Sequence, residues 1–289
     1  MNPDVITLNQ FQSMPDDDTS AIDFLCQHVV SFVGTYALCS PSEREHFETV
    51  GVPPHADRKL LSFTGTPVQL LDTLYIVTAG HVFSTHIPIL ESQQAFITSG
   101  SLVDSFGPKK TLNKSFPFNL FDSVEYWVYE PSLGLDYAMI KLNPNDADLV
   151  RSSSVVPYAP SEDLYKFARE SDNLLLLGFP EEKAELIDWS PGGLSHICVA
   201  PYVVPVKRLK HKRTELYPWI CGEIENMGDL HSIVGVSGGP LFATSRDDTG
   251  GHYTVAGIQS SWYSDSKTIH AMGIDCVIDH FWKWKKKNA

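Results

Sequence analysis

The chain has 289 residues, 43% of them hydrophobic, and a formal net charge of −13 at pH 7. That length and hydrophobic share suffice for one large domain or two modest ones, each with a real core. The negative charge argues against non-specific nucleic-acid binding, which needs a basic surface to displace counterions.

Residues 1–20, "MNPDVITLNQFQSMPDDDTS", are acidic and polar, with neither the basic start nor the apolar stretch of a signal peptide. They read as a mobile leader. Segments of β character follow at close spacing: "VVSFVGTYAL", "LLSFTG", "TPVQLL", "TLYIVTAG", "QAFITSG", "EYWVYE" and "DYAMIKL". Gly, Pro, Asp and Asn bound them, which predicts a β-barrel or sandwich unit over residues 21–145. Residues 146–170 are polar and carry prolines, and are expected to be a linker with a short helix over Asp163–Arg169. Strand-like runs resume with "NLLLLGFP", "SHICVAPYVVPV", "YPWICGEI", "PLFATS" and "YTVAGIQSSW", giving a second β unit over 171–275. In "DCVIDHFWKWKKK" the apolar residues are spaced as in a helix, with lysines where they favour its C-terminus. Residues 276–289 therefore read as a closing helix and basic tail. No apolar run approaches the roughly 18 residues of a membrane-spanning helix, so no membrane partner is expected.

The five cysteines are Cys26, Cys39, Cys198, Cys221 and Cys276. None pairs at C-x-x-C spacing, and the number is odd. This argues against a zinc site and against a disulfide framework, and predicts reduced, mostly buried thiols and a cytoplasmic location.

One serine stands out. Ser237 lies in Gly235-Val236-Ser237-Gly238-Gly239-Pro240. A serine hydroxyl is a poor nucleophile unless a base takes its proton and fixed donors await the oxyanion. Flanking glycines permit unusual backbone angles and close substrate approach. The base should be a histidine oriented by a carboxylate. His81 follows a β run and a small-residue turn in "TLYIVTAGHVF", and Asp136 opens another strand in "GLDYAMIKL". Taken singly, the histidine reads as structural and the aspartate as a turn cap.

Together the three segments resemble the motifs of the chymotrypsin-like (trypsin-like) serine proteases. T-A-G-H resembles the family's histidine motif, "LDYAMIKL" its aspartate strand and "GVSGGPL" its serine motif, in the family's order. "VAGIQSSW" resembles the strand that binds the substrate backbone. The resemblance implies two six-stranded antiparallel β-barrels, with the site between them, and a C-terminal helix. It implies a serine endopeptidase acting through an acyl-enzyme on a protein or peptide substrate, with no cofactor and no metal. Ser237 would be the nucleophile, His81 the base and then the acid, and Asp136 the group that fixes the imidazole. The N–H groups of Gly235 and Ser237 would form the oxyanion hole. Ser260 resembles the serine that bonds the aspartate, though Ser260 and Ser261 are hard to separate. Ser260, Ser261 and Trp262 would pair with substrate.

The departures carry expectations of their own. Val82 stands where secreted members have a cysteine. Val236 stands where zymogens have the aspartate that receives a new N-terminal ammonium. The oxyanion hole is then either preformed or completed by an activating partner. His231 occupies the position that the family places at the specificity-pocket floor, with Asp229 two residues earlier. Cleavage after Arg or Lys is therefore not expected. The basic cluster "VKRLKHKR", residues 206–213, reads as a solvated hairpin tip, with docking of an acidic partner as the sharper alternative. Two competing readings remain: a non-catalytic protease-fold binding module, and an α/β-hydrolase, whose G-x-S-x-G nucleophile elbow Gly235–Gly239 also satisfies.

Overall fold

A computed structural model describes residues 18–38, 40, 42–43, 45, 49, 58–91, 95–103, 115–153, 155–189, 195–210, 215–247 and 250–288. Most of the expected leader and the 211–213 part of the basic cluster lie outside the described residues.

The first unit begins with helix α1 (Asp18–Leu25). It continues through strands β1 (Val30–Leu38), β2 (Arg58–Leu70) and β3 (Thr73–Thr78), helix α2 (Gly80–Glu91), and strands β4 (Ala95–Val103) and β5 (Ser115–Pro117). A helical turn, α3 (Leu120–Ser123), precedes β6 (Val124–Glu130) and β7 (Leu135–Lys141). The strands form one antiparallel sheet in the order β5-β4-β1-β2-β3-β7-β6. The two runs "LLSFTG" and "TPVQLL" are one long strand. β2 pairs with β1 up to Gly65 and with β3 from Thr66 onward, so it hands the sheet over from one half to the other. A Cβ on Gly65 would lie 2.4 Å from Ile76 Cγ2, which is why the changeover needs glycine. Alternate residues of these strands (Val30, Phe32, Leu61, Phe63, Leu74, Ile76, Ala138, Ile140) enclose one core with Val82 and Phe83 of α2. Phe32 and Phe63, opposite each other in the β1–β2 register, stack at 4.9 Å.

Among the described residues this sheet has seven strands and two edges, and is not the closed six-stranded barrel expected. β5 is only three residues long and pairs with β4 alone, so it never reaches β6.

The expected linker is largely structured. Pro144 opens helix α4 (Pro144–Ser152), and the Asn143 side chain accepts the Asp146 N–H at 2.9 Å as its N-cap. The chain then straps across the first unit: Val156 N–H donates to Gln27 O, Tyr158 N–H to Pro67 O, and Gln69 N–H to Tyr158 O, all within 2.8 Å. Helix α5 (Glu162–Glu170) follows, one residue longer at each end than expected.

The second unit holds β8 (Asn173–Gly178), β9 (Glu185–Trp189), β10 (Ser195–Cys198), β11 (Tyr202–Arg208), β12 (Trp219–Ile224), β13 (Pro240–Asp247), β14 (Gly250–Tyr263) and β15 (Thr268–Gly273). Six of them close a barrel in the order β11-β12-β15-β14-β13-β8, while β9 and β10 form a separate hairpin. Helix α6 (Ile274–Asn288) buries Ile274, Val277, Ile278 and Phe281. A further core joins the units: Val68, Tyr75, Val77 and Tyr137 from the first pack with Phe179, Phe242, Ile258 and Met272 from the second, and Phe281 from the helix. The functional candidates lie along this seam. An α/β-hydrolase is excluded by the antiparallel sheets, and Ser237 leads from a turn into a strand rather than from a strand into a helix.

Candidate active site

His81 sits in the first turn of α2, directly after β3. The glycine before it is obligatory: a Cβ on Gly80 would lie 2.0 Å from Val128 O and 2.9 Å from Tyr137 N. That close approach brings α2 onto β7, where Asp136 is 1% exposed. Asp136 receives the His81 N–H on Oδ1 at 2.8 Å, and faces His81 Nδ1 through Oδ2 at 2.8 Å. Ser260 Oγ also donates to Oδ2. A buried carboxylate is costly unless donors surround it, and here three do. A carboxylate only accepts, so Nδ1 carries the ring proton and the Nε2 lone pair is left free. The ring is 30% exposed, with Tyr129 edge-on at 6.0 Å.

Ser237 is held from both units. Its carbonyl accepts the Thr64 N–H at 3.1 Å, and the carbonyls of Gly235 and Gly238 accept the hydroxyls of Thr64 and Thr66, each at 3.0 Å. Thr78, three residues before His81, donates its hydroxyl to Thr64 O at 2.8 Å. The serine turn and the histidine turn thus rest on the same pair of strands. Ser237 Oγ itself makes no hydrogen bond among the described residues, to His81 or to any other.

The peptides around Ser237 have fixed orientations. Val234 C=O accepts the Glu181 N–H at 2.7 Å, and Val236 C=O accepts the Gly239 N–H at 2.8 Å. In a planar trans peptide the C=O and the following N–H point opposite ways. The N–H groups of Gly235 and Ser237 therefore point away from these anchors, and neither has a protein acceptor among the described residues. Gly235 has φ +92° and Gly238 φ +90°, values that favour glycine. Val236 is buried in the barrel core beside Ile233 and Leu241.

Beyond Gln259, β14 is paired along one side alone among the described residues. β13 stops pairing with it at Pro240 opposite Ile258. The Gln259 main chain then takes the Gly238 N–H and donates to Gly239 O, each at 2.9 Å. Ser261 and Trp262 pair with His270 and Ile269 of β15 only. Ser260 is the one that bonds Asp136, and Ser261 Oγ lies 3.3 Å from Ser260 Oγ.

His231 is not at the floor of an enclosed pocket. Its side chain is 94% exposed, and its N–H is tied to Glu182 Oε1 at 3.0 Å, which turns the segment outward. Asp229 is engaged by Lys183 Nζ and by Tyr202 Oη, both at 2.6 Å, and these donors hold its carboxyl down to about 2. Cys26, Cys221 and Cys276 form no disulfide; burial pushes Cys221 up to about 11 and Cys276 to about 12. Among the described residues no three His, Cys, Asp or Glu side chains are grouped to hold a metal, and no helix is long and apolar enough to cross a membrane.

Sequence reasoning missed Thr64, Thr66, Tyr129 and the brace at Gln259. The alternation of Thr64 and Thr66 in "FTGTP" was a visible signal of two hydroxyls on one face of a strand. Nothing in the sequence said what they would meet.

No family model and no curated protein matches the chain. Among solved structures it is similar to the Rv3671c protease of M. tuberculosis in its active form, at 15% identity, 88% of this chain, 79% of that chain and TM-score 0.39. It is similar to the protease Anisep of Arthrobacter nicotinovorans, at 16% identity, 86% of this chain, 90% of that one and TM-score 0.40. The human pathogenic astrovirus serine protease is similar at 12% identity, 86% of this chain, 91% of that chain and TM-score 0.40.

Proposed function

We propose that the chain is a serine endopeptidase. The observation that carries this is the Asp136–His81 pair, braced on the same strands as a serine turn, with His81 Nε2 and the N–H groups of Gly235 and Ser237 left without a partner among the described residues. Ser237 Oγ attacks the scissile carbonyl while its proton passes to His81 Nε2. The oxyanion forms against the N–H groups of Gly235 and Ser237, where one donor is worth roughly 3 kcal/mol of transition-state stabilisation. The tetrahedral adduct collapses as His81 returns the proton to the leaving amine, giving an acyl-Ser237. Water, deprotonated by His81, then releases the acid. Asp136 stays ionised and stabilises the imidazolium.

The open edge of Ser260–Trp262 is suited to main-chain pairing with an extended substrate. Asp229 is already neutralised and solvent-facing, so it is poorly placed to anchor Arg or Lys. The Glu181, Thr64 and Gln259 braces hold the Ser237 turn, and Val236 offers no carboxylate to a new N-terminal ammonium, so activity should not depend on cleavage to a new N-terminus. Cysteines that form no disulfide, Cys26, Cys221 and Cys276, fit a reducing compartment such as the cytoplasm.

A fluorophosphonate probe tests the assignment. It should label the native protein at Ser237 and lose that labelling in Ser237→Ala and His81→Ala. Labelling elsewhere, or none in the folded native protein, would favour a non-catalytic binding module on the same fold.

A further inference from the structure

A cavity of about 260 Å³ lies in the second unit between α5, β11, β12 and the start of α6. Trp219, Ile220, Pro218, Ile274 and Tyr165 line it, and Arg208 reaches it from the end of β11. It is separate from the candidate active site. Ala256, which also lines it, is four residues along β14 from Ser260.

Arg208 is unusual in its surroundings. The protein carries a net charge of −13, yet no acid lies within ion-pair distance of this guanidinium among the described residues. Its Nη2 donates to Ala168 O at 2.6 Å, at the C-terminal end of α5. Its Nε is buried with no acceptor among the described residues. Desolvation lowers its pKa, and the charge of Asp172 opposes this from beyond contact. The one carboxylate in the cavity wall, Asp275, is already paired with Arg169 at 3.0 Å. The two cancel, and Arg208 is left, among the described residues, as the cation of the cavity wall with no acid in contact, beside apolar and aromatic walls.

We propose that this cavity binds a small organic monocarboxylate with a compact apolar body, its carboxylate on the Arg208 guanidinium and its body against Trp219 and Ile220. A planar guanidinium with free N–H groups matches a carboxylate, and the walls match an aromatic or branched group. The same chemistry is offered by a free acid and by the C-terminal carboxylate of a short apolar peptide. The proposal does not rest on the protease reading.

The test is calorimetric titration of the Ser237→Ala protein, which removes cleavage and leaves the cavity untouched. Phenylacetate should bind saturably at one site, with phenylacetamide and acetate each weaker by roughly tenfold or more. Arg208→Gln should weaken phenylacetate by a similar factor. Ile220→Trp should block it by filling the cavity with Arg208 intact, and so decides the matter if Arg208→Gln does not fold. A short peptide ending in Phe, as acid and as amide, separates the two sources: a bound acid form points to peptide termini, its exclusion to free acids. No saturation by about 10 mM phenylacetate, equal binding of the amide, or unchanged binding in a folded Ile220→Trp protein would overturn the proposal.

Discussion

Thr64, on a strand of the first unit, donates its hydroxyl to the carbonyl of Gly235 in the second, and accepts the Phe179 N–H on the same oxygen; both bonds are 3.0 Å. This one fully buried side chain thus joins the peptide before Val236 to the end of β8, across the seam. The peptide so anchored lies between the two whose N–H groups, of Gly235 and Ser237, are proposed to receive the oxyanion, and hydrogen bonds hold it in place. That is the physical counterpart of having valine at position 236.

Thr64→Val keeps the shape and removes both bonds, leaving a buried C=O and a buried N–H unpaired. The expected loss of stability is about 1–3 kcal/mol. The turn should also loosen, so kcat should fall roughly tenfold or more, with KM less affected, because the hole acts in the transition state. Peptide-hydrolysis kinetics and a urea midpoint measure both. An unchanged kcat in the folded variant would show that the turn is held without Thr64.

Gly238 admits no side chain. A Cβ there would lie 2.1 Å from both Thr64 O and Thr78 Oγ1, at φ +90°. Backbone cannot yield as a flexible side chain can, so Gly238→Ala should separate the serine turn from β2 and cost on the order of 4 kcal/mol. Thermal unfolding should show a strongly lowered midpoint, and probe labelling of Ser237 should fall with it.

Ser260→Ala should leave the fold intact while removing one of three donors to buried Asp136. Loss of a hydrogen bond to a charged group is worth about 1.5–3 kcal/mol. Ser261, whose Oγ is 3.3 Å from that of Ser260, is not placed on the carboxylate, so Ser261→Ala is the matched control. Activity should drop roughly tenfold in the first and stay near native in the second. Equal effects from both would mean that Asp136 does not depend on Ser260.

Local signals made much of this protein legible. β7 was readable because "GLDYAMIKL" combines a glycine turn with a strongly apolar strand, and α6 because its apolar residues keep helical spacing up to the lysines. The residues that would meet were legible only as motifs, since nothing local says that positions 81 and 136 touch. α2 and α4 went unread for a different reason. α2 starts at a glycine directly after a β run and contains Pro88, and its helicity depends on packing Val82 and Phe83 into the first core. α4 is polar, and only the Asn143-Pro144 pair marks its start. The edge strand β5 and the cross-unit threonines arise from contacts between distant segments, which no window of the sequence contains.

His28 gives the clearest dependence of stability on pH. It is buried beneath Tyr253 and the edge of Phe242, with no charged partner among its ring contacts. Val156 O can only accept, so Nδ1 bears the proton, and Nε2 takes the Tyr253 hydroxyl, each bond at 2.7 Å. Protonating Nε2 would break the second bond and bury a charge, and desolvation lowers the pKa to about 4 from an ordinary 6.5. Above 6.5 both folded and unfolded chains are neutral here, and the contribution to stability is fully present. As the pH falls from there the unfolded chain takes up a proton that the folded one refuses, until about pH 4. Stability should therefore drop by about 2 kcal/mol between pH 7 and pH 5 through this residue alone. His28→Gln can keep both bonds, with its amide N–H to Val156 O and its carbonyl to Tyr253, and cannot titrate. Urea unfolding at the two pH values should give a smaller drop in the variant by that amount. Equal drops in the two proteins would place the acid sensitivity elsewhere and show that His28 is protonated in the folded state as readily as in the unfolded chain.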